Sequence, residues 1–382
     1  MITYIKAKII VLLFYIFRIF PIKKNKIVFS SYAGQAYGGE GKCIYEAMGE
    51  EKNLYDIVWI CRNTSLKAPK DIRLVPYLSL KSIYEQITAH VWIDNRRKAS
   101  YVRKRKNQYY IQTWHGGGPC LKWVEKDAQV TLSPNYVKSA IRDSQMANVL
   151  VSGSEWRTRN MLQSFWYDGE IVKCDLYKKY NGDMDLGILK NEVMNYFGID
   201  IETKLFLYAP TFRKDGNLEC YEMDYAKVIK TLSIKYGGTW KVIVRLHPHI
   251  TKLHSNLKYS EFILNGSLYP QIENLILASE FLVTDYSGCM FNGFKLKRKV
   301  LLYALDLEHY LKEERGMYFD IKRTPAPFAD SMDRLINNII NFDDLKYEQD
   351  RKEFIKNIGY YESTGPELVA ERIKNVMSGR KY

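Results

Sequence analysis

The chain has 382 residues, of which 46% are hydrophobic and 26% charged, with 57 Lys and Arg against 43 Asp and Glu for a net charge of +14. It is too apolar for a disordered protein and too long for one hydrophobic core, which stops growing at about 250 to 300 residues. The positive charge is spread along the chain and attracts anions, but no RNA-recognition sequence, zinc-finger spacing or arginine-rich arm accompanies the 30 tyrosines, so nucleic acid is not an expected partner.

The first element is unusual. Ile9 to Phe17 is an unbroken apolar run, flanked by Lys6 and Lys8 before it and by Arg18, Lys23, Lys24 and Lys26 after it. It is shorter than the roughly 20 residues needed to cross a bilayer, and no small-residue cleavage site follows. Two readings remain: an interfacial helix with basic flanks, or a first helix packed into the protein's own core. The overall charge favours the former, making residues 1–25 an amphipathic membrane-associating segment.

Strand-like runs follow at Lys26 to Ser30, Asp56 to Cys61, Ile72 to Val75, His90 to Asp94, Gln108 to Thr113 and Asn148 to Ser152. Helical patterns at Gly41 to Glu50 and Leu80 to Ala89 lie between them, and such alternation predicts a parallel sheet built of βαβ units. A second series runs through Lys204 to Ala209, Lys241 to Leu246, Glu261 to Leu264, Phe281 to Thr284 and Val300 to Tyr303. The turn cluster Tyr180-Asn181-Gly182-Asp183 separates the two series. The expected architecture is therefore α/β with two Rossmann-like domains facing a cleft, 26–185 and 186–382. The last helix, Pro366 to Met377, is expected to pack back on the first domain.

Four loops that follow apolar strands carry the chemistry. Thr113-Trp114-His115-Gly116-Gly117-Gly118 places an imidazole at a strand end, where substrates bind in α/β proteins. Titrating near neutrality, His115 can take a proton from an attacking hydroxyl. Thr211 and Arg213 of Tyr208-Ala209-Pro210-Thr211-Phe212-Arg213, with Arg245-Leu246-His247-Pro248, suit phosphate recognition: guanidinium groups fork onto phosphate oxygens, and His247 can neutralise charge on a leaving phosphate. Thr284-Asp285-Tyr286-Ser287-Gly288 ends a strand and opens a helix from Met290, an arrangement suited to cradling a diphosphate; Asp285 can equally cap that helix. Glu314 to Asp320 is a charged turn containing Arg315. The 6 cysteines form no CxxC pair and no cysteine–histidine group of zinc-site spacing, so free thiols in a reducing compartment and no metal site are expected. Cys120 reads as a small buried filler rather than a nucleophile.

Taken in this order, the segments resemble the CDP-glycerol glycerophosphotransferase family, the primases and polymerases of teichoic acid and related capsule polymers. Trp114-His115-Gly116 matches its tryptophan-histidine-glycine loop, with Lys122 standing for the lysine that follows. Tyr208 to Arg213, His247-Pro248, Thr284 to Ser287 and Arg315 to Tyr318 match its other segments. Two places depart from the family pattern: Gly117-Gly118-Pro119-Cys120 intervenes before Leu121-Lys122, and Val172-Lys173-Cys174-Asp175-Leu176 stands where a glycine-x-proline-arginine-x-aspartate loop is expected.

The resemblance implies a GT-B fold and a peripheral enzyme on the cytoplasmic face of the membrane. It implies transfer of glycerol phosphate from CDP-glycerol, or of ribitol phosphate from CDP-ribitol, to an undecaprenyl-linked acceptor, with release of CMP and no cofactor. By the same carry-over His115 is the base and Arg213, His247, Thr284 and Ser287 hold the donor phosphates, with Trp114, Gly116, Lys122, Thr211, Arg245, Asp285, Gly288 and Arg315 completing the substrate site. Two alternatives share the architecture: a sugar-nucleotide glycosyltransferase, and a non-catalytic protein that binds polyanions or a membrane surface.

Overall fold

The computed structural model describes residues 4–115, 121–123, 125–128, 132–178 and 185–380. The chain divides into two compact units, one of residues 1–115, 125–178 and 360–382 and the other of residues 116–124 and 179–359. The turn cluster at 180–183 lies outside the described residues.

The first unit holds a seven-stranded sheet of β1 (Lys23–Ser30), β2 (Asp56–Cys61), β3 (Ile72–Pro76), β4 (Ala89–Asp94), β5 (Tyr109–Gln112), β6 (Val149–Ser152) and β7 (Glu170–Lys173), in the order β3-β2-β1-β4-β5-β6-β7. Every pairing is parallel. Buried on both faces, such strands are apolar along their length rather than alternating, which is why they were legible as continuous runs. On one face Ile27, Phe29, Trp59 and Ile93 meet Ile44 and Tyr45 of α2 (Gly39–Ala47, after α1, Tyr4–Ile16) and Val369 and Ile373 of the terminal helix, Glu367–Met377. On the other face Val28, Val58, Trp92 and Tyr110 meet Ile83 and Ile87 of α3 (Leu80–Thr88) and Phe14 of α1. Two further helices, α4 (Pro134–Met146) and α5 (Glu155–Ser164), start at Ser133 and Ser154, whose hydroxyls accept from the amides of Tyr136 and Arg157. β7 was not expected from the sequence, because its four residues begin and end with charged side chains.

The first helix divides its surface. Phe14 is buried and Ile10, Leu13 and Phe17 pack beside it, whereas Ile5, Ile9, Leu12 and Ile16 are exposed. Among the described residues no helix is long and apolar enough to cross a membrane.

The second unit repeats the plan with β8 (Lys204–Tyr208), β9 (Trp240–Val244), β10 (Ile263–Asn265), β11 (Phe281–Thr284), β12 (Lys299–Tyr303) and β13 (Phe328–Ala329), in the order β10-β9-β8-β11-β12-β13. Its helices are α6 (Leu186–Phe197), α7 (Tyr225–Tyr236), α8 (Ile272–Ala278), α9 (Cys289–Lys295), α10 (Leu307–His309), α11 (Met332–Ile340) and α12 (Asp344–Ile358). In α9, Gly293 sits directly on the sheet: a Cβ there would lie 2.6 Å from Val300 and 2.8 Å from Leu282. β13 is too short to leave a sequence signal.

Among the charged groups buried inside the first unit, one ties β1 to α3. Lys26, in β1, is wholly buried; its Nζ donates to Glu85 at 2.5 Å and to Thr88 at 2.9 Å. Arg73 joins Glu85 to Asp56. Burial alone would raise the Glu85 pKa, but the hydrogen bonds and charges of Arg73 and Lys26 outweigh it and hold the carboxyl below its ordinary value. A lowered carboxylate pKa adds stability above the unfolded value of about 4.3 and loses it as pH falls through the folded value. Glu85→Ala removes the near counter-charge of Lys26 in the core, leaving only Asp56 at 3.8 Å, and should cost about 3 to 5 kcal/mol at neutral pH, measured by urea denaturation. An unchanged midpoint would show that the pair does not hold α3 to β1.

Candidate active site

Strand register determines what meets in the first unit. Ser30 is level with Asp94, and Asp94 with Gln112, so β1, β4 and β5 end in one row and deliver Tyr32, Asn95 and His115 to the same rim. The chain leaving β5 is tied down at each step. The Thr113 amide donates to the Asp94 carbonyl at 3.0 Å, and the Trp114 amide to the Gln112 side chain at 2.8 Å. Trp114 has φ of 51°, a left-handed conformation uncommon for a bulky residue. Its carbonyl accepts from Arg157 at 3.2 Å, and its ring lies against Phe165 with the Arg97 guanidinium 5.0 Å from the ring centre. Trp114 thus anchors the loop.

These anchors present His115. Its Nδ1 lies 2.5 Å from the Asn95 carbonyl, and Tyr32 meets the ring edge-on at 5.2 Å. A carbonyl can only accept, so Nδ1 carries a proton, and in the neutral ring Nε2 is then the basic nitrogen, the arrangement required of a base. Gly116, expected beside it, lies outside the described residues. Lys122 belongs to the second unit. There its amide donates to the Gly316 carbonyl at 3.0 Å, its carbonyl accepts from Arg315 Nε, and Leu121 bridges to Met317. Lys122 and Arg315, far apart in sequence, are therefore neighbours.

The expected phosphate ligands of the second unit come together, but largely as scaffold. Arg213 is buried; its Nε and Nη2 fork onto Asp306 at 2.7 and 2.8 Å, Nη2 also reaches Asp285 at 3.0 Å, and Nη1 donates to the Thr211 carbonyl at 2.5 Å. Asp285, itself buried, accepts from the amides of Thr211 at 2.7 Å and Tyr286 at 2.5 Å. Thr284 is fully buried and donates its hydroxyl to the Ala209 carbonyl at 2.7 Å. Burial raises the Asp285 pKa against the opposing pull of Arg213. For Asp306 burial acts the same way, but the bonds from Arg213 and Tyr286 prevail and lower it. A guanidinium removed from water must meet its counter-charges inside the fold, and Arg213 has done so.

The other residues of the unit differ. Arg245 turns to the carbonyls of Gly266 at 2.8 Å and Tyr269 at 2.7 Å, bracing the loop after β10. His247 lies against the Phe212 ring at 4.6 Å, while its amide donates to Tyr221 at 3.1 Å. Ser287 is half-buried; its hydroxyl accepts from the Cys289 amide at 3.4 Å, and Gly288 caps α9. Beside this cluster is a cavity of about 240 Å³ whose lining includes Tyr208, Asp215, Glu219, Asp306, His309 and Glu314. Asp215, Glu219 and Glu314 suit hydroxyl and amino groups, while Asp306 is already paired with Arg213, which also lines the cavity. The cavity is not legible in the sequence, since its acids, Asp215, Glu219, Asp285, Asp306 and Glu314, come from the segments after β8, β11 and β12.

A model of the family described as CDP-Glycerol:Poly(glycerophosphate) glycerophosphotransferase matches residues 12–376. The chain is 26% identical over 372 residues to a teichoic acid poly(glycerol phosphate) polymerase of Bacillus spizizenii, covering 93% of each chain. It is 28% identical over 361 residues to the polymerase of the same name from Bacillus subtilis, covering 90% of this chain and 48% of that one. The chain thus spans nearly all of one relative and about half of the other. A solved structure of the wall teichoic acid polymerase TagF superposes with a TM-score of 0.84 at 23% identity, covering 98% of this chain and 96% of that one. The fold is accordingly of the GT-B type, with a parallel sheet in each of two domains.

Arg213 supplies a sharp test of scaffold against ligand. Arg213→Ala strands the buried Asp285 carboxylate and should lower stability by about 3 to 5 kcal/mol in thermal or urea unfolding, ligand absent. Arg213→Lys should restore only part of this, because an ammonium cannot fork onto Asp306. A stable Arg213→Ala protein would return this residue to the pool of ligand groups.

Proposed function

This chain belongs to the CDP-glycerol:poly(glycerophosphate) glycerophosphotransferase family, and from that membership we propose that it transfers glycerol phosphate from CDP-glycerol to a hydroxyl of a lipid-linked acceptor in teichoic acid synthesis. The observation that carries the catalytic part is the ring of His115, held through Nδ1 on the Asn95 carbonyl, which makes Nε2 the basic nitrogen of the neutral ring. In the proposed step the acceptor oxygen attacks the phosphorus that bears glycerol, and its proton passes to Nε2. The bond from that phosphorus to the bridging oxygen breaks, and its electron pair leaves with CMP. The chemistry is positioning, proton removal and stabilisation of phosphate charge, which side chains supply without a covalent intermediate.

Donor recognition is assigned to the second unit. His247, Ser287 and Gly288, with the neighbouring Lys122 and Arg315, are the groups proposed to face the donor phosphates. Arg213, Thr211, Thr284 and Asp285 shape the loops that carry them, and Arg245 braces the segment after β10. The acid-lined cavity suits the hydroxyl-bearing parts of the donor, because carboxylates accept from hydroxyls. With CDP-glycerol and an undecaprenyl-linked glycerol phosphate acceptor, the protein should release CMP, and His115→Ala should lower that rate by about 10²- to 10⁴-fold. CDP-ribitol in a parallel reaction decides the polyol. Silence with both donors, together with thermal stabilisation by UDP-sugars, would sink this reading in favour of a glycosyltransferase.

We also propose that α1 rests on the anionic cytoplasmic face of the membrane. Its outward residues Ile5, Ile9, Leu12 and Ile16 form an apolar strip on a helix whose inner side already packs on the sheet. Lys6, Lys8, Arg18, Lys23 and Lys24 surround the strip with positive charge, complementing anionic headgroups. Ile9→Glu with Leu12→Glu should abolish co-sedimentation with phosphatidylglycerol vesicles while leaving the melting temperature unchanged, since both side chains are exposed. Undiminished binding would assign membrane contact to another surface.

A further inference from the structure

Behind His115 lies a chain of buried polar contacts that no sequence motif marked. Asn95 is 1% exposed, and its side-chain amide is held at both ends. Nδ2 donates to the Glu40 carboxylate at 2.8 Å, and Oδ1 accepts from the Tyr32 amide at 2.7 Å. Glu40, 8% exposed, stands in the first turn of α2. Tyr32, the residue that touches the imidazole edge, has φ of 52°, so its amide is aimed at Asn95 by a backbone turn unusual for a tyrosine. Three loops and one helix thereby converge on a single asparagine whose own carbonyl faces Nδ1 of His115.

We infer that Asn95 and Glu40 are positioning residues for His115: the carboxylate and the Tyr32 amide clamp the asparagine side chain, and so fix its carbonyl where it holds the Nδ1–H tautomer. The inference rests on the reading of His115 as the base. Its logic is that of a base oriented by a third group, here through an amide and a carbonyl in place of a direct carboxylate–imidazole bond. Free histidine prefers the opposite neutral tautomer, with the proton on Nε2, which would point a donor rather than a lone pair at the acceptor hydroxyl. The clamp therefore decides whether the base is in its working form. Burial raises the Glu40 carboxyl above its usual pKa, and the Asn95 amide is the foremost of the groups that oppose that shift. Glu40 thus depends on Asn95 as Asn95 depends on Glu40.

The test has a spectroscopic and a kinetic arm. In wild-type protein labelled with ¹⁵N at histidine, two-bond ¹H–¹⁵N spectra above the imidazole titration should show the His115 ring, assigned by its loss in His115→Ala, as the Nδ1–H tautomer. A ring found as Nε2–H overturns the inference with no variant needed. Glu40→Gln keeps the shape and removes the charge, and Asn95→Ala removes the clamp. Each should lower kcat by about 10- to 100-fold while the KM for CDP-glycerol stays within about twofold. A scaffold role alone would instead lower the melting temperature and leave kcat per folded molecule unchanged, which counts against the inference. The two levels separate cleanly. If His115→Ala retains wild-type turnover the base reading fails; if His115→Ala is inactive but Glu40→Gln and Asn95→Ala turn over normally, only the positioning inference fails.

Discussion

The carboxyl end of β4 is the point on which the first unit's chemistry depends. Asp94 and Asn95 leave the sheet there, and each is bonded on several sides. The Asp94 carboxylate meets Lys98 at 2.8 Å and the Arg96 amide at 3.0 Å, while its carbonyl takes the Thr113 amide. Asn95 holds Tyr32, Glu40 and His115. A central strand flanked on both sides by parallel partners cannot shift its register by one residue without turning every side chain to the wrong face, so its end is a rigid place from which to hold the proposed base. The imidazole inherits that rigidity through a single carbonyl.

In the second unit the governing constraint is electrostatic. A buried guanidinium requires counter-charge, and Arg213 meets it with Asp285 and Asp306, each from a different strand end. One ion cluster thus sets the conformation of the loops after β8, β11 and β12. Arg213, Thr211, Thr284 and Asp285 thereby form the frame of these loops, beside half-buried His247 and Ser287, which are proposed to face the donor. Tyr286 joins the frame through its hydroxyl on Asp306 at 2.8 Å and stacks on Tyr310. Buried frame residues and half-buried ones alternate along the same short segments, so family motifs there record folding as well as any contact with substrate.

The first helix shows a similar duality. A sequence apolar on all sides serves either a core or a bilayer, and here one side of α1 is core while the other is exposed. The core reading holds for one side only, because composition does not say how much of a helix's circumference a sheet can cover. The sheet covers the side bearing Phe14.

Alternating apolar runs and helical patterns were enough to establish two parallel α/β units and to locate most strands, because parallel strands buried on both faces must be continuous apolar runs. The ordered loops after those strands pointed to the family and made His115 a candidate base, since residue type and spacing are local properties that survive in a linear text. What remained hidden was pairing across distance. Nothing local tells that Arg213 is neutralised by Asp306 rather than free for phosphate, that Lys122 lies beside Arg315, or that Glu40 steadies Asn95. Those partners are separated by 93, 193 and 55 positions respectively. Only tertiary structure decides them, because whether a charge binds a ligand or holds the fold depends on which opposite charge arrives beside it when the strands align.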